Sequence, residues 1–90
     1  MLVALIAKDK PGALQIRLDN RAAHLEHIES SGLVLQAGPF LDGEGTMCGS
    51  LVILNVETMD QARAWADGDP YARAGLFEDV ELRPWNKVVG

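Results

Sequence analysis

Apolar residues fall along this chain in continuous runs, in helical spacing, and once in strict alternation, and each pattern predicts a different element. Leu2–Ala7 is apolar without interruption, as in a strand buried on both faces. Asp9-Lys10-Pro11-Gly12 then punctuates the chain, with Pro11 suited to the first turn of a helix. From Ala13 to Ser30 the pattern is helical. Leu14, Leu18, Leu25 and Ile28 project onto a stripe roughly 80° wide, the predicted packing face, and Gly32 supplies a stop. Leu33–Ala37 reads as a second strand, ended by Gly38-Pro39, and Asp42-Gly43-Glu44-Gly45 as a loop or hairpin tip. Ser50–Val56 is a third strand, again apolar enough to be central. Thr58 with Gln61 three residues later is a capping-box signature, so a second helix runs from Met59 to about Ala66. Its packing face is Met59, Ala62 and Ala66, small enough for close approach to a sheet. Val80–Trp85 alternates as a last strand, and Pro84, which has no N–H for the ladder, places it at an edge or ends it.

The order β-α-β-β-α-β is the split βαβ arrangement of an α+β, ferredoxin-like fold. Right-handed crossovers give one antiparallel sheet with both helices on one face. The other face has no cover within the chain, yet two strands are apolar on both sides. A homodimer packing sheet against sheet, or a partner doing the same, is expected. Residues 1–90 form a single domain, with no internal repeat or linker.

Composition narrows the function classes. Hydrophobic residues are 48% of the chain and charged residues 23%, which excludes disorder. A net charge of −5 argues against nucleic acid, whose phosphates require a basic face. Cys48 is the only cysteine, which rules out an intrachain disulfide and a cysteine-rich zinc site, and it has no basic neighbour to activate it. The apolar opening is too short for a membrane span and lacks the basic segment and cleavage site of a signal peptide. A soluble cytoplasmic protein is the expectation.

Candidate chemistry collects on the first helix and at one dipeptide after the second. Arg17, Arg21 and His24 follow at spacings of four and three on one side of the helix, with Arg21 inside the apolar stripe and the other two flanking it. An arginine aimed at a core needs a carboxylate or an anionic ligand, unless its stem packs and its head reaches water. His24 can take and return a proton near neutral pH, although a histidine beside an apolar stripe more often bonds a backbone carbonyl. His27 lies further round toward solvent and reads as surface. Two histidines without a third ligand make a metal site improbable, and Gly43 and Gly45 are too isolated for a phosphate loop; no cofactor is expected.

Asp69-Pro70 fixes a carboxylate on a stiff turn after the second helix, with Gly68 before it to take any left-handed dihedral. At a helix C-terminus that charge gains no local stabilisation. The bland reading is turn chemistry; the sharper one is that Asp69 orients His24, both helices lying on one side of the sheet. Ser50, at the start of the third strand, is a weaker candidate for a hydroxyl facing a pocket. Trp65, Tyr71, Phe77 and Trp85 read as core or interface aromatics.

Arg17-Leu18 followed by Arg21-Ala22-Ala23-His24-Leu25 resembles the first-helix signature of the YciI-like, or YCII-related, proteins. Ala37-Gly38-Pro39, Gly49-Ser50, Ala62-Arg63-Ala64-Trp65-Ala66, Asp69-Pro70-Tyr71, Ala74-Gly75 and Arg83-Pro84-Trp85-Asn86-Lys87-Val88-Val89 continue the likeness in order. The resemblance implies a ferredoxin-like fold of the dimeric α/β-barrel type and an active site centred on a histidine and an aspartate, here His24 and Asp69. It extends to a dehydrochlorinase of a chlorinated hydroxyquinol, and in fold to muconolactone isomerase; both chemistries abstract a proton beside an activated carbon.

Three readings follow. In the first, a lyase or isomerase uses His24 as base and acid, Asp69 as orienting carboxylate, and Arg17, Arg21 and Ser50 to hold an anionic or cyclic metabolite. In the second, the same pocket binds a small molecule without turnover. In the third, the chain is a structural or regulatory dimer.

Overall fold

β1 (Leu2–Asp9) and β3 (Met47–Asn55) sit side by side at the centre of the sheet, because neither sequence offers a polar face to solvent. The computed structural model describes residues 1–90. β2 (Val34–Leu41) pairs with β3, and β4 (Phe77–Trp85) with β1, all antiparallel, in the order β2-β3-β1-β4. α1 (Leu14–Ser31), α2 (Met59–Gly68) and a short α3 (Pro70–Arg73) complete the chain. This is the expected α+β, ferredoxin-like βαββαβ order, an antiparallel sheet with helices on one face.

Alternation along the central strands divides their side chains. Val3, Leu5 and Ala7 of β1 face the helices with Val52 and Leu54 of β3, and pack against Val56, Ala62, Trp65 and Ala66. α2 delivers its small residues because its start is well defined. Gln61 donates its backbone N–H to the Thr58 hydroxyl at 3.1 Å, and its side-chain carbonyl accepts from the Glu57 amide at 2.8 Å. Ala4, Ile6, Leu51 and Ile53 point the other way. With Arg83 and Trp85 they line a broad hollow of about 600 Å³ on the sheet face that carries no helix.

Some boundaries moved, each for an identifiable reason. β2 runs through Gly38-Pro39 to Leu41, which an edge strand tolerates because one row of its backbone groups is unpaired. Pro11-Gly12 forms a turn, with Gly12 at φ 71°, so α1 begins only at Leu14. The expected packing face of α1 is also corrected. Leu14, Leu18 and Leu25 are 38%, 47% and 44% exposed, while the buried residues of this helix are Arg17 and His24. Of the leucine-isoleucine stripe, only Ile28 packs against the core. α1 is turned so that its polar side overlies the sheet, and Arg17 and His24 there bond Asp9, Ser50 and Asp69 of other elements.

Gly49 allows β1 and β3 to approach beside the site. A Cβ there would lie 2.4 Å from the Ala7 carbonyl oxygen, a backbone atom with little room to move. Gly49→Ala is therefore expected to destabilise the fold by about 1–3 kcal/mol. The shift in the denaturant midpoint at constant slope measures it.

Candidate active site

Asp69 is where α2 hands over to α3. It is the C-cap of α2, as the dipeptide suggested, with its N–H on the Ala66 carbonyl, and at the same time the N-cap of α3, with Pro70 in the first helical position. Its Oδ1 accepts the Tyr71 backbone N–H at 3.0 Å, so the carboxylate does gain local stabilisation. Gly68 takes no left-handed dihedral; it ends α2 and leaves room for His27, whose ring a Cβ would meet at 3.2 Å.

The same Oδ1 receives His24 Nδ1 at 2.7 Å across the gap between α3 and α1. A carboxylate only accepts, so Nδ1 carries the hydrogen and, in the neutral ring, Nε2 keeps its lone pair. Nε2 makes no hydrogen bond within the chain and is not sealed from solvent. The imidazole plane is held as well, stacked on the Tyr71 ring with centroids 3.9 Å apart and 14° between planes. Asp69 is 1% exposed and its Oδ2 has no partner at all. A desolvated carboxylate bonded through one oxygen is short of positive charge, and an imidazolium at His24 would supply it.

Arg17 is buried on the same side of α1, and Asp9 is its partner. Nε and Nη2 each donate to the carboxylate at 2.8 Å, and Nη2 also donates to Ser50 Oγ at 2.9 Å. The guanidinium carbon stands 4.8 Å from the Tyr71 ring centroid. Burial pushes the Arg17 pKa down, but the hydrogen bonds and charge of Asp9 outweigh it, and the net direction is up. Burial raises the Tyr71 phenol above its ordinary 10.0, against the opposing charges of Arg17 and Arg21. Since the folded value exceeds the unfolded one, this contribution to stability is intact below 10.0 and is lost as pH rises through the folded value. A spectrophotometric titration should show the Tyr71 phenolate forming later than in the unfolded chain, with stability falling over the same interval.

A cleft of about 170 Å³ opens between α1 and the β2–β3 ribbon, with His24, Arg21, Ser50, Tyr71, Pro39 and Met47 in its walls. Four candidate residues therefore meet at one place: His24, Arg17, Arg21 and Ser50 line it, and Asp69 stands behind His24. Of the two alternatives for Arg21, a charge partner or a head in water, the structure has the second: it is exposed, makes no ion pair, and sits at the rim. His27 is corrected, from surface residue to a half-buried one whose Nε2 bonds the Trp65 carbonyl at 3.0 Å.

Asp9 and Tyr71 are site residues that the sequence reading passed over. The signal for Asp9 is the period of two through Val3, Leu5, Ala7 and Asp9, which carries it onto the helix-facing side. The signal for Tyr71 is its place two residues after an N-cap aspartate, where its amide must find the cap.

The YCII-related domain matches residues 1–86. Protein YciI of Escherichia coli is 40% identical over 97 aligned residues, covering 98% of this chain and 99% of that protein. A solved structure of 5-chloro-2-hydroxyhydroquinone dehydrochlorinase (TftG) from Burkholderia phenoliruptrix, in complex with 2,5-dihydroxybenzoquinone, superposes with a TM-score of 0.89. It is 35% identical and covers 96% of this chain and 94% of the other. An antibiotic biosynthesis monooxygenase, 18% identical at a TM-score of 0.62 over 99% of this chain and all of the other, shares the fold alone. The match across nearly the whole length, with curated and solved relatives above one-third identity, places this chain in the YCII-related domain family.

Proposed function

We propose that this protein is a small lyase- or isomerase-type enzyme in which His24 abstracts and returns a proton on a small cyclic or anionic metabolite. The observation that supports it is the 2.7 Å His24–Asp69 hydrogen bond, which leaves Nε2 unbonded on a ring that lines an open cleft. Asp69 fixes the tautomer and offsets the charge of the imidazolium. Arg21 attracts an anion at the rim, and Arg17 and Ser50 form the polar end. At about 170 Å³ the cleft suits one substituted ring, since a cavity near 150 Å³ accommodates benzene. The bound dihydroxybenzoquinone of the 35%-identical dehydrochlorinase is of that size.

The test is a panel of cyclic dienones, lactones and halogenated hydroxyquinols, followed by absorbance and by solvent-deuterium incorporation. The expected result is turnover or exchange of at least one compound by wild type and none by His24→Asn. Binding without either in wild type would make the cleft a binding module, and neither binding nor reaction would leave a structural dimer.

Our reading includes a homodimer joined through the open sheet faces, since Ala4, Ile6, Leu51 and Ile53 form an apolar surface with no cover from the chain's own helices. Ile53→Lys, at its centre, is expected to convert the dimer to monomer in sedimentation velocity. A wild type that sediments as a monomer would remove this part. A reducing cytoplasm suits the free thiol of Cys48 and a fold that needs no disulfide.

A further inference from the structure

The hydrogen atoms around Ser50 do not balance within the chain. Its Oγ accepts from Arg17 Nη2 at 2.9 Å, yet its own hydroxyl proton finds no acceptor on any neighbouring residue. Ser50 is 2% exposed, so bulk water does not readily supply one, and the space beside it is the cleft it lines. A buried hydroxyl with an unused donor carries a real cost, unless something that enters the site uses it. Arg17 shows the same accounting. Asp9 takes Nε and one Nη2 hydrogen, Ser50 takes the other, Nη1 is claimed by neither, and the remaining polar neighbour of the guanidinium is the Tyr71 phenol.

We propose that Ser50 and Arg17 form an oxyanion cradle: the Ser50 hydroxyl, pinned by Arg17 as an acceptor, turns its proton into the cleft. With the Arg17 guanidinium behind it, it receives the substrate oxygen that becomes negative when His24 takes a proton. This rests on the reading of His24 as base and narrows the substrate class to single-ring, enolisable carbonyl compounds and hydroxyquinone-like rings. The step is redox-neutral. His24 Nε2 takes the proton, the C–H electron pair becomes a C=C bond, and the carbonyl π pair moves to oxygen as the enolate. Collapse of that enolate either expels a leaving anion from the β carbon or returns the proton to another carbon of the ring. The first outcome is elimination and the second isomerisation.

Asp9 is what makes the cradle neutral at rest. It matches the fixed charge of Arg17, so the site presents directed donors rather than a bare cation. Arg21, unpaired at the rim, attracts anions without that directionality.

The experiment uses halogenated phenols and para-nitrophenol graded in acidity, which mimic the enolate oxygen and do not turn over. Wild type is expected to bind the phenolate form, with affinity that changes systematically across the series and a shifted nitrophenolate absorption band. Ser50→Ala should weaken phenolate binding roughly ten- to a hundred-fold and restore the free-probe band. It leaves Arg17 held by both bonds to Asp9. Ser50→Thr, which keeps the hydroxyl, should bind within about threefold of wild type; as the conservative variant it separates hydroxyl loss from disturbed packing. Equal affinity in Ser50→Ala and wild type, or no phenolate binding by wild type, would overturn the proposal. His24→Asn separates the two readings. If it loses turnover and keeps phenolate affinity, both stand; if it keeps turnover while Ser50→Ala loses phenolate affinity, the base assignment falls and the cradle remains.

Discussion

Replacing His24 with alanine is expected to lower turnover of any proton-transfer substrate by about 10²–10⁴-fold, the usual worth of a positioned base. Asp69→Asn should cost less than the comparable change in a serine protease, where a flipped amide imposes the wrong histidine tautomer and costs about 10⁴. Here Oδ1 accepts two hydrogens, one from His24 Nδ1 and one from the Tyr71 amide. An asparagine turned to present its NH₂ to His24 would also present it to Tyr71 N–H, donor against donor. The amide therefore keeps its oxygen at that position and the tautomer survives. What is lost is the negative charge that would stabilise the imidazolium formed during the reaction. A fall of roughly 10²-fold is expected, and kcat should carry it rather than KM. The NH₂ group would occupy the buried position where Oδ2 now has no partner, so one unpartnered polar group replaces another there and little change in stability is expected. An imidazole titration by NMR that is identical in wild type and Asp69→Asn would remove Asp69 from the mechanism.

How much of this was readable beforehand differs between the sheet and the helix above it. β1 and β3 announce themselves by continuous apolar runs, and α2 by its Thr58–Gln61 cap, because a single physical requirement chooses each residue. α1 obeys two requirements at once. Its leucines give the expected stripe, but the side over the sheet is occupied by Arg17 and His24, made tolerable by Asp9 and Asp69 from other elements. Helical periodicity reports where apolar residues cluster. It does not report that a buried face is built from charge pairs whose second members lie on a strand end and a helix cap. For the same reason the stripe includes Arg21 and only flanks Arg17, four residues earlier, although Arg17 is the one that is buried. The His24–Asp69 meeting was foreseeable only as a coincidence of face, since the cap that aims the carboxylate belongs to α3, a four-residue helix the sequence reading took as a turn.

Breaking the Arg17–Asp9 pair should have the largest effect on stability. Asp9→Ala removes both oxygens that Arg17 Nε and Nη2 now reach at 2.8 Å, leaving a guanidinium whose side chain is only 3% exposed. Loss of one partner of such a pair costs about 3–5 kcal/mol, mostly because the other charge stays buried. For a 90-residue domain that is a large share of a total stability of roughly 5–15 kcal/mol, so much of the variant should be unfolded at 37 °C, a common assay temperature. Arg17→Met combined with Asp9→Val removes both charges and keeps an apolar filling, and should recover to within about 1–2 kcal/mol of wild type by denaturant unfolding. If the pair exists to direct donors into the cleft rather than to hold the fold, the stable double variant should still fail to bind phenolates. A double variant as unstable as Asp9→Ala would show instead that the fold itself depends on these two charges.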